Sequence, residues 1–295
     1  MSFTVVGLGE VLWDLLPAGP QLGGAPTNFA YHAGALGGHA MMVTRVGNDD
    51  FGREVIDRFE KMNLPLETVQ VDRMLPTGTV SVTLNEKGVP QYAFADNTAW
   101  EQLAVTDPAL AAVSGAHAVC FGTLGQRNPV ARKSIQQLVA AAPADALRVF
   151  DINLRLGFYS REVIEQSMRL SNVLKLNEEE LAVLTDMHSL QGNVRQRIEW
   201  FVRTFGFKTV VLTKGSLGSL IHQGGRWSEM FPEPVRVRDT VGAGDAFAAA
   251  LIMGLLSGMD LSEVHAIATA TAGYVCSTSG ATPPMPESIR SKFMR

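Results

Sequence analysis

Between residues 118 and 176 the chain alternates short apolar runs with longer, mixed ones. Residues 118–122, 147–153 and 173–176 are strand-like, and 129–142 and 162–169 carry a helical pattern between them. Unbroken apolar strands are covered on both faces, and helical connections of this length join neighbouring strands in parallel. The pattern therefore predicts an α/β chain with a central, mostly parallel sheet and helices on both faces. Ligands of such sheets bind in the crevice beyond the carboxyl ends of the strands, so polar residues at those ends are the first candidates for function. With 295 residues, 46% of them apolar and 18% charged, the chain has ample material for such a core and reads as one domain over 1–295.

Two segments interrupt the alternation. Residues 79–84 and 89–94 alternate apolar and polar side chains around Asn85-Glu86-Lys87-Gly88, the pattern of a β-hairpin. Residues 10–22 are extended and turn-rich, broken by Pro17 and Pro20. Together they are expected to form a small β-lid spanning about 10–22 and 77–96; a peripheral hairpin without a role in closure is the plainer reading. A lid would leave one face in need of cover, and pairing across a two-fold axis would make a homodimer.

Charge and targeting signals exclude more than they select. A net charge of −4 without a basic run argues against nucleic acid and anionic membrane surfaces as partners. No apolar run approaches the roughly 20 residues of a bilayer span. The start Met-Ser-Phe-Thr-Val-Val-Gly lacks the features of a signal peptide, so a cytoplasmic location is expected. Cys120 and Cys276 lie in apolar surroundings without ligand spacing and are expected as buried thiols. Gly7 and Gly9 start a dinucleotide fingerprint, but its third glycine and its helix are missing, which disfavours a nicotinamide oxidoreductase.

The string Asp239-Thr240-Val241-Gly242-Ala243-Gly244-Asp245, followed at once by the apolar run 247–256, carries the most chemistry. Small residues at a helix start let several N–H groups converge, and such a turn binds phosphate oxygens or the charge that develops in phosphoryl transfer. A carboxylate beside an anion hole, Asp245, has a natural task as general base toward a substrate hydroxyl. The tetrapeptide alone also reads as a loop with an Asp cap. Other candidates stand at strand and helix ends. Asp14 is a turn residue or a polyol ligand, while Gly24 and Asn28 in Gly-Gly-Ala-Pro-Thr-Asn suit close approach and hydrogen bonding to vicinal hydroxyls. Arg155 in Asp-Ile-Asn-Leu-Arg offers a fork of donors for a phosphate or pairs with Asp151. Asn177 and Glu180 share a helix face and either cap it or hold waters around magnesium. Thr213, Gly215 and Gly218 form a glycine turn between two strands.

The 239–245 string, Gly-Gly-Ala-Pro-x-Asn-x-Ala at 23–30, Asp-x-Asn-x-Arg at 151–155 and Asn-x-x-Glu at 177–180 occur in an order that resembles the ribokinase-like (PfkB) carbohydrate kinases, most of all their fructokinases. The resemblance implies a ribokinase-like three-layer sandwich and transfer of the ATP γ-phosphoryl group to a sugar hydroxyl. By it, Asp245 is the base, and the Gly242, Ala243 and Gly244 amides and Arg155 stabilise the moving group. Asp14, Gly24 and Asn28 hold the sugar together with Asp245. Asn177, Thr213, Gly215, Gly218 and Gly244 meet the nucleotide, and Glu180 meets Mg2+ through water. Asp239, with residues 280–284, would hold K+, although Pro284 stands where some potassium-dependent relatives carry a hydroxyl. Ala268, Ala270, Ala272 and Gly273 would admit an adenine or simply allow close helix packing. Ala25 replaces a lysine found in relatives acting on ribose or sugar phosphates, which favours a neutral sugar. Fructose comes first, ahead of 2-keto-3-deoxygluconate, ribose or a nucleoside; a catalytically silent sugar-binding regulatory protein on this fold is the alternative of another class.

Overall fold

The computed structural model of the protein describes residues 3–17, 19–84 and 90–293. In chain order the strands are β1 (Thr4–Leu8), β2 (Leu12–Leu16), β3 (Gly19–Gly23), β4 (His39–Gly47), β5 (Val69–Asp72), β6 (Gly78–Leu84), β7 (Pro90–Phe94), β8 (Ala118–Phe121), β9 (Leu147–Asp151), β10 (Val173–Asn177), β11 (Thr209–Thr213), β12 (Ser219–Gln223) and β13 (Arg226–Met230). The helices are α1 (Ala25–Ala35), α2 (Asp50–Lys61), α3 (Asp107–Ser114), α4 (Pro129–Ala141), α5 (Arg161–Leu170), α6 (Glu178–Met187), α7 (Val194–Phe205), α8 (Ala243–Leu256), α9 (Leu261–Cys276) and α10 (Glu287–Arg290).

The main sheet runs in the order β13-β12-β11-β10-β9-β8-β1-β4-β5. Strands β5 to β11 in that row are parallel, and β12 and β13 close the far edge antiparallel. From β1 the chain builds outward through β4 and β5, then returns to the other side of β1 with β8 and continues to β11. The order of building reverses between β1 and β8, which is where such sheets open a crevice at their carboxyl ends.

Side chains alternate between two cores, as the period of two requires. Val5, Val149, Val173 and Val211 pack with residues of α1, α2, α8 and α9 on one face. Val6, Phe150, Leu174 and Leu212 pack with residues of α3, α4, α5, α6 and α7 on the other. The expected α/β architecture with helices on both faces is what the chain adopts. Helix α8 is buried without interruption from Ala246 to Gly254, which explains an apolar run with no polar face.

A second, four-stranded sheet has the order β3-β2-β6-β7. It joins the 10–22 segment to the hairpin as expected, β2 lying parallel to β6 while β6 and β7 pair antiparallel. The turn at Asn85-Glu86-Lys87-Gly88 and Val89 lie outside the described residues. Two aromatic anchors fix this sheet to the main body. Trp13 of β2 donates from Nε1 to the Phe51 carbonyl at 3.1 Å and stacks on the Phe51 ring. Arg127 donates to the Ala95 carbonyl and to Glu101 Oε1, the latter at 3.0 Å, with its guanidinium over the rings of Trp100 and Phe158. Removing one partner of a buried pair leaves the other charge uncompensated. Arg127→Ala is therefore expected to lower the unfolding free energy by about 3–5 kcal/mol in urea denaturation; a loss below about 1 kcal/mol would class the pair with ordinary surface ion pairs.

One expectation about the cysteines needs correction. Cys120 is buried, whereas Cys276 is only half-buried at the end of α9, because its helix turns that face toward the 235–239 segment; both thiols are free.

Candidate functional site

Helix α8 begins with Gly242 at φ 76, a left-handed conformation in which a Cβ would lie 2.5 Å from the Ala281 carbonyl oxygen. Only glycine fits there. No side chain caps this helix. Among the described residues the amides of Gly242 and Gly244 hold no acceptor, and that of Ala243 makes only a long bond of 3.4 Å to the Thr240 carbonyl. The start of α8 thus presents N–H groups and the positive end of the dipole to the crevice. Asp239 fixes the turn from behind, accepting from Val241 N at 3.0 Å and from Gly280 N at 3.1 Å. His32 of α1 holds the same tail, its Nε2–H donating to the Ala281 carbonyl at 2.8 Å; burial keeps its pKa down at about 4, so it is neutral.

Asp245, in the first turn of α8, faces the crevice. Its Oδ2 accepts from Asn28 Nδ2 at 2.8 Å, across 217 residues of sequence. Its pKa rises to about 6, because it is withdrawn from bulk water and feels Asp151, while Lys175, Asn28 and Arg155 pull it down. Asn28 Oδ1 is buried without a partner and so is free to accept from a ligand hydroxyl. Asp14 on β2 stands beside Gly23, where a Cβ would meet its Oδ2 at 2.7 Å; burial raises its pKa, opposed by Arg155. Asn28→Ala removes a donor that stabilises the Asp245 carboxylate. Its acidic limb in a rate–pH profile should accordingly sit above that of the parent, and an unmoved limb would show that the bond leaves the aspartate's proton affinity unchanged.

Asn177 caps α6. Its Oδ1 accepts from Glu180 N at 2.9 Å, and Glu180 answers by accepting from Asn177 N with Oε2 at 2.8 Å. Glu180 Oε1 accepts from Leu154 N at 2.9 Å and so ties α6 to the 153–156 loop, where Asn153 and Leu156 are left-handed. The capping reading of this pair is therefore realised, and both residues also line the crevice. Arg155 on that loop is exposed, bonds the Leu154 carbonyl and reaches the cavity wall without pairing with Asp151.

These residues enclose one cavity of about 700 Å³. Asp14, Gly24, Asn28 and Asp245 line one end, Asn177, Glu180, Thr213 and Asp239 the other, and Gly242 and Gly244 lie between. Such a volume suits a nucleotide and a small polyol together. Gly215 and Gly218 are not part of the wall; Gly218 is a glycine because a Cβ would sit 2.1 Å from the Met230 carbonyl oxygen. Nor are Ala268, Ala270, Ala272 or Gly273, since the helical turn sends Ala268 into the core and Ala270 to solvent.

The structure adds two cavity-lining residues that sequence reasoning passed over, Glu10 and Lys175, and gives Asp151 a partner other than Arg155. Glu10 is buried behind the Gly23–Gly24 turn with Oε2 unpartnered, and burial lifts its pKa to about 7. Lys175 and Asp151 form a buried ion pair on the cavity floor. A lysine between Leu174 and Leu176 in an otherwise apolar strand was the signal available for the pair.

No group of three or more His, Cys, Asp and Glu able to hold a metal exists among the described residues. Magnesium would therefore come to this site on nucleotide phosphates, and Asn177 and Glu180 on the cavity wall are the residues that would face it. Asp239 has both carboxylate oxygens on amides and the Ala281 carbonyl accepts from His32, so these groups hold the turn in place. No helix among the described residues is long and apolar enough to cross a membrane.

A doubly covered parallel sheet whose crevice holds a buried carboxylate next to the free amides of one helix start is the arrangement of a small-molecule kinase. More particularly, the chain belongs to the pfkB family of carbohydrate kinases, whose pattern it matches over residues 20–288. It is 29% identical over 260 residues to the fructokinase of Klebsiella pneumoniae, covering 84% of this chain and 83% of that one. It is 27% identical over 295 residues to the fructokinase of Salmonella typhimurium, covering 96% and 94%. Among solved structures it superposes on the fructokinase with bound ATP from Xylella fastidiosa with a TM-score of 0.88 at 20% identity, covering 100% and 98%. An uncharacterized sugar kinase from Pyrococcus horikoshii in complex with ATP gives 0.80 at 26% identity, covering 94% of each chain.

Proposed function

We propose that this sugar kinase transfers the γ-phosphoryl group of ATP to a hydroxyl of a neutral sugar, fructose first. The observation that carries the reading is the Asn28–Asp245 hydrogen bond of 2.8 Å, which sets the base of the C-terminal turn against the Gly-Gly-Ala-Pro-Thr-Asn segment. Asp14, Gly24 and Asn28 hold the sugar. Asp245 takes the proton of the attacking hydroxyl as its oxygen bonds to phosphorus and the bond to the β-phosphate oxygen breaks, releasing ADP. The Gly242, Ala243 and Gly244 amides and Arg155 stabilise the charge that develops on the transferring group. When bound with the nucleotide, magnesium would neutralise phosphate charge next to Glu180 and Asn177, with Thr213 on the same side.

The small β3-β2-β6-β7 sheet acts as a lid that excludes water from the sugar end, and its outer face, where Tyr92 is exposed, pairs two chains. Fructose is favoured over a sugar acid because Glu10, Asp14 and Asp245 crowd that end with carboxylates, Arg155 being the cation that acts on all three and Lys175 adding to it only at Asp245. It is further favoured by the relatives named fructokinases. A coupled assay of ADP formation across fructose, 2-keto-3-deoxygluconate, ribose and a nucleoside tests the reading. Fructose-dependent ADP release is the expected result; no release with any of them would leave a silent binding protein as the better account.

A further inference from the structure

Asp151, the last residue of β9, lies in register with Lys175 in the middle of the neighbouring parallel strand β10, and the pleat turns both toward the face covered by α8. Lys175 Nζ donates to Asp151 Oδ1 at 2.9 Å and to Oδ2 at 2.8 Å. An ammonium has three donors, so one N–H remains, and no acceptor meets it among the described residues. The ammonium adjoins the anion hole: a Cβ placed on Gly244 would lie 3.3 Å from Nζ. Both residues line the cavity although each is buried.

We propose that Lys175 is a further catalytic residue, anchored by Asp151 so that its remaining N–H meets the transferring phosphoryl group beside the Gly244 amide. This rests on the kinase reading of the site. A purely structural pair could sit anywhere in the sheet; this one lines the crevice, with Asp151 at the carboxyl end of β9 and Lys175 beside it on β10, next to the helix start that gathers anion-binding amides. Burial alone would lower the pKa of Lys175, but Asp151 and Asp245 hold it above the usual lysine value, so the cation is permanent. It also keeps Asp245 ionisable, opposing Asp151. The charged groups facing this cluster are Asp151, Asp245, Glu180, Glu10 and Arg155, with Cys120 beneath them.

The test compares Lys175→Met with the double variant Asp151→Asn/Lys175→Met. Lys175→Met is expected to lower kcat by about 10²–10³-fold on the alkaline plateau, to leave the sugar KM within about threefold, and to move the acidic limb of the rate–pH profile upward. The double variant removes the orphaned carboxylate, so it should refold normally and return the limb toward its original position while kcat stays low. A double variant whose kcat recovers to within about fivefold of the parent would reduce Lys175 to a structural counter-ion and overturn the proposal. Calorimetry reads the contact without turnover: the preference for a non-hydrolysable ATP analogue over ADP should shrink at least fivefold in both variants, and an unchanged preference also overturns it. If the parent protein shows no sugar-dependent ADP release but the calorimetric loss appears, the kinase reading fails while the contact of Lys175 with the terminal phosphate stands.

Discussion

Asp245→Asn is expected to lower turnover by at least about 10²–10⁴-fold while the affinity for the sugar changes little. The amide is close in size to the carboxylate and can still accept from Asn28, so the sugar end keeps its shape, and what disappears is the acceptor for the hydroxyl proton. Three further consequences separate this from a general disturbance of the fold. The parent's rate should fall as pH drops through about 6, where Asp245 gains its proton, and the variant's residual rate should lack that limb. Stability follows the opposite sense. Because the folded pKa of about 6 lies above the ordinary 3.8, the native state binds the proton more tightly, and the stability that Asp245 confers is lost as pH rises from about 4 to 6. The asparagine variant does not share that loss and should be at least as stable as the parent at pH 7 and above. Turnover within tenfold of the parent would remove Asp245 from the role of base.

What the sequence disclosed and what it concealed divide along the distance over which each meaning is set. The alternation at 118–176 and the 239–245 string were legible because local periodicity and a local glycine turn determine them. The lid was legible in part: the hairpin pattern marked β6 and β7, but nothing in 10–22 said that β2 would lie parallel to β6, since that partner is 66 residues away at Leu12 and Gly78. Asn177 and Glu180 show the limit of reading a spacing of three, which fits both a capping box and a water-mediated metal site; the structure satisfies the first while leaving both residues on the cavity wall. Gly215 and Gly218 were placed at the nucleotide by resemblance, whereas the packing of Gly218 on Met230 gives it a sufficient reason elsewhere. Lys175, Glu10 and His32 escaped notice, and Asp151 was matched with Arg155 rather than Lys175, because each acquires its role only when strands and helices distant in sequence close around it.

Gly242→Ala should lower both stability and turnover. Its added methyl must sit 2.5 Å from the Ala281 carbonyl oxygen and 2.8 Å from its Cα, and its φ of 76 is one that side chains adopt at a cost. The strain alone is worth about 1–3 kcal/mol. The tail cannot simply retreat, because Asp239 holds it through the Gly280 amide and His32 holds it through the same Ala281 carbonyl. Relief has to come from the turn, which rotates the Gly242 and Gly244 amides away from the crevice, and turnover should fall by about 10²–10³-fold in addition to the loss of stability. Gly258→Ala, just past the other end of α8, is the control. There φ is 71 and a Cβ meets open space, so strain of about 1 kcal/mol is expected with turnover unchanged. Urea denaturation and kcat measured on both variants separate the two effects. Equal stability losses with full turnover in Gly242→Ala would mean that the amides at the start of α8 do not meet the phosphoryl group at all.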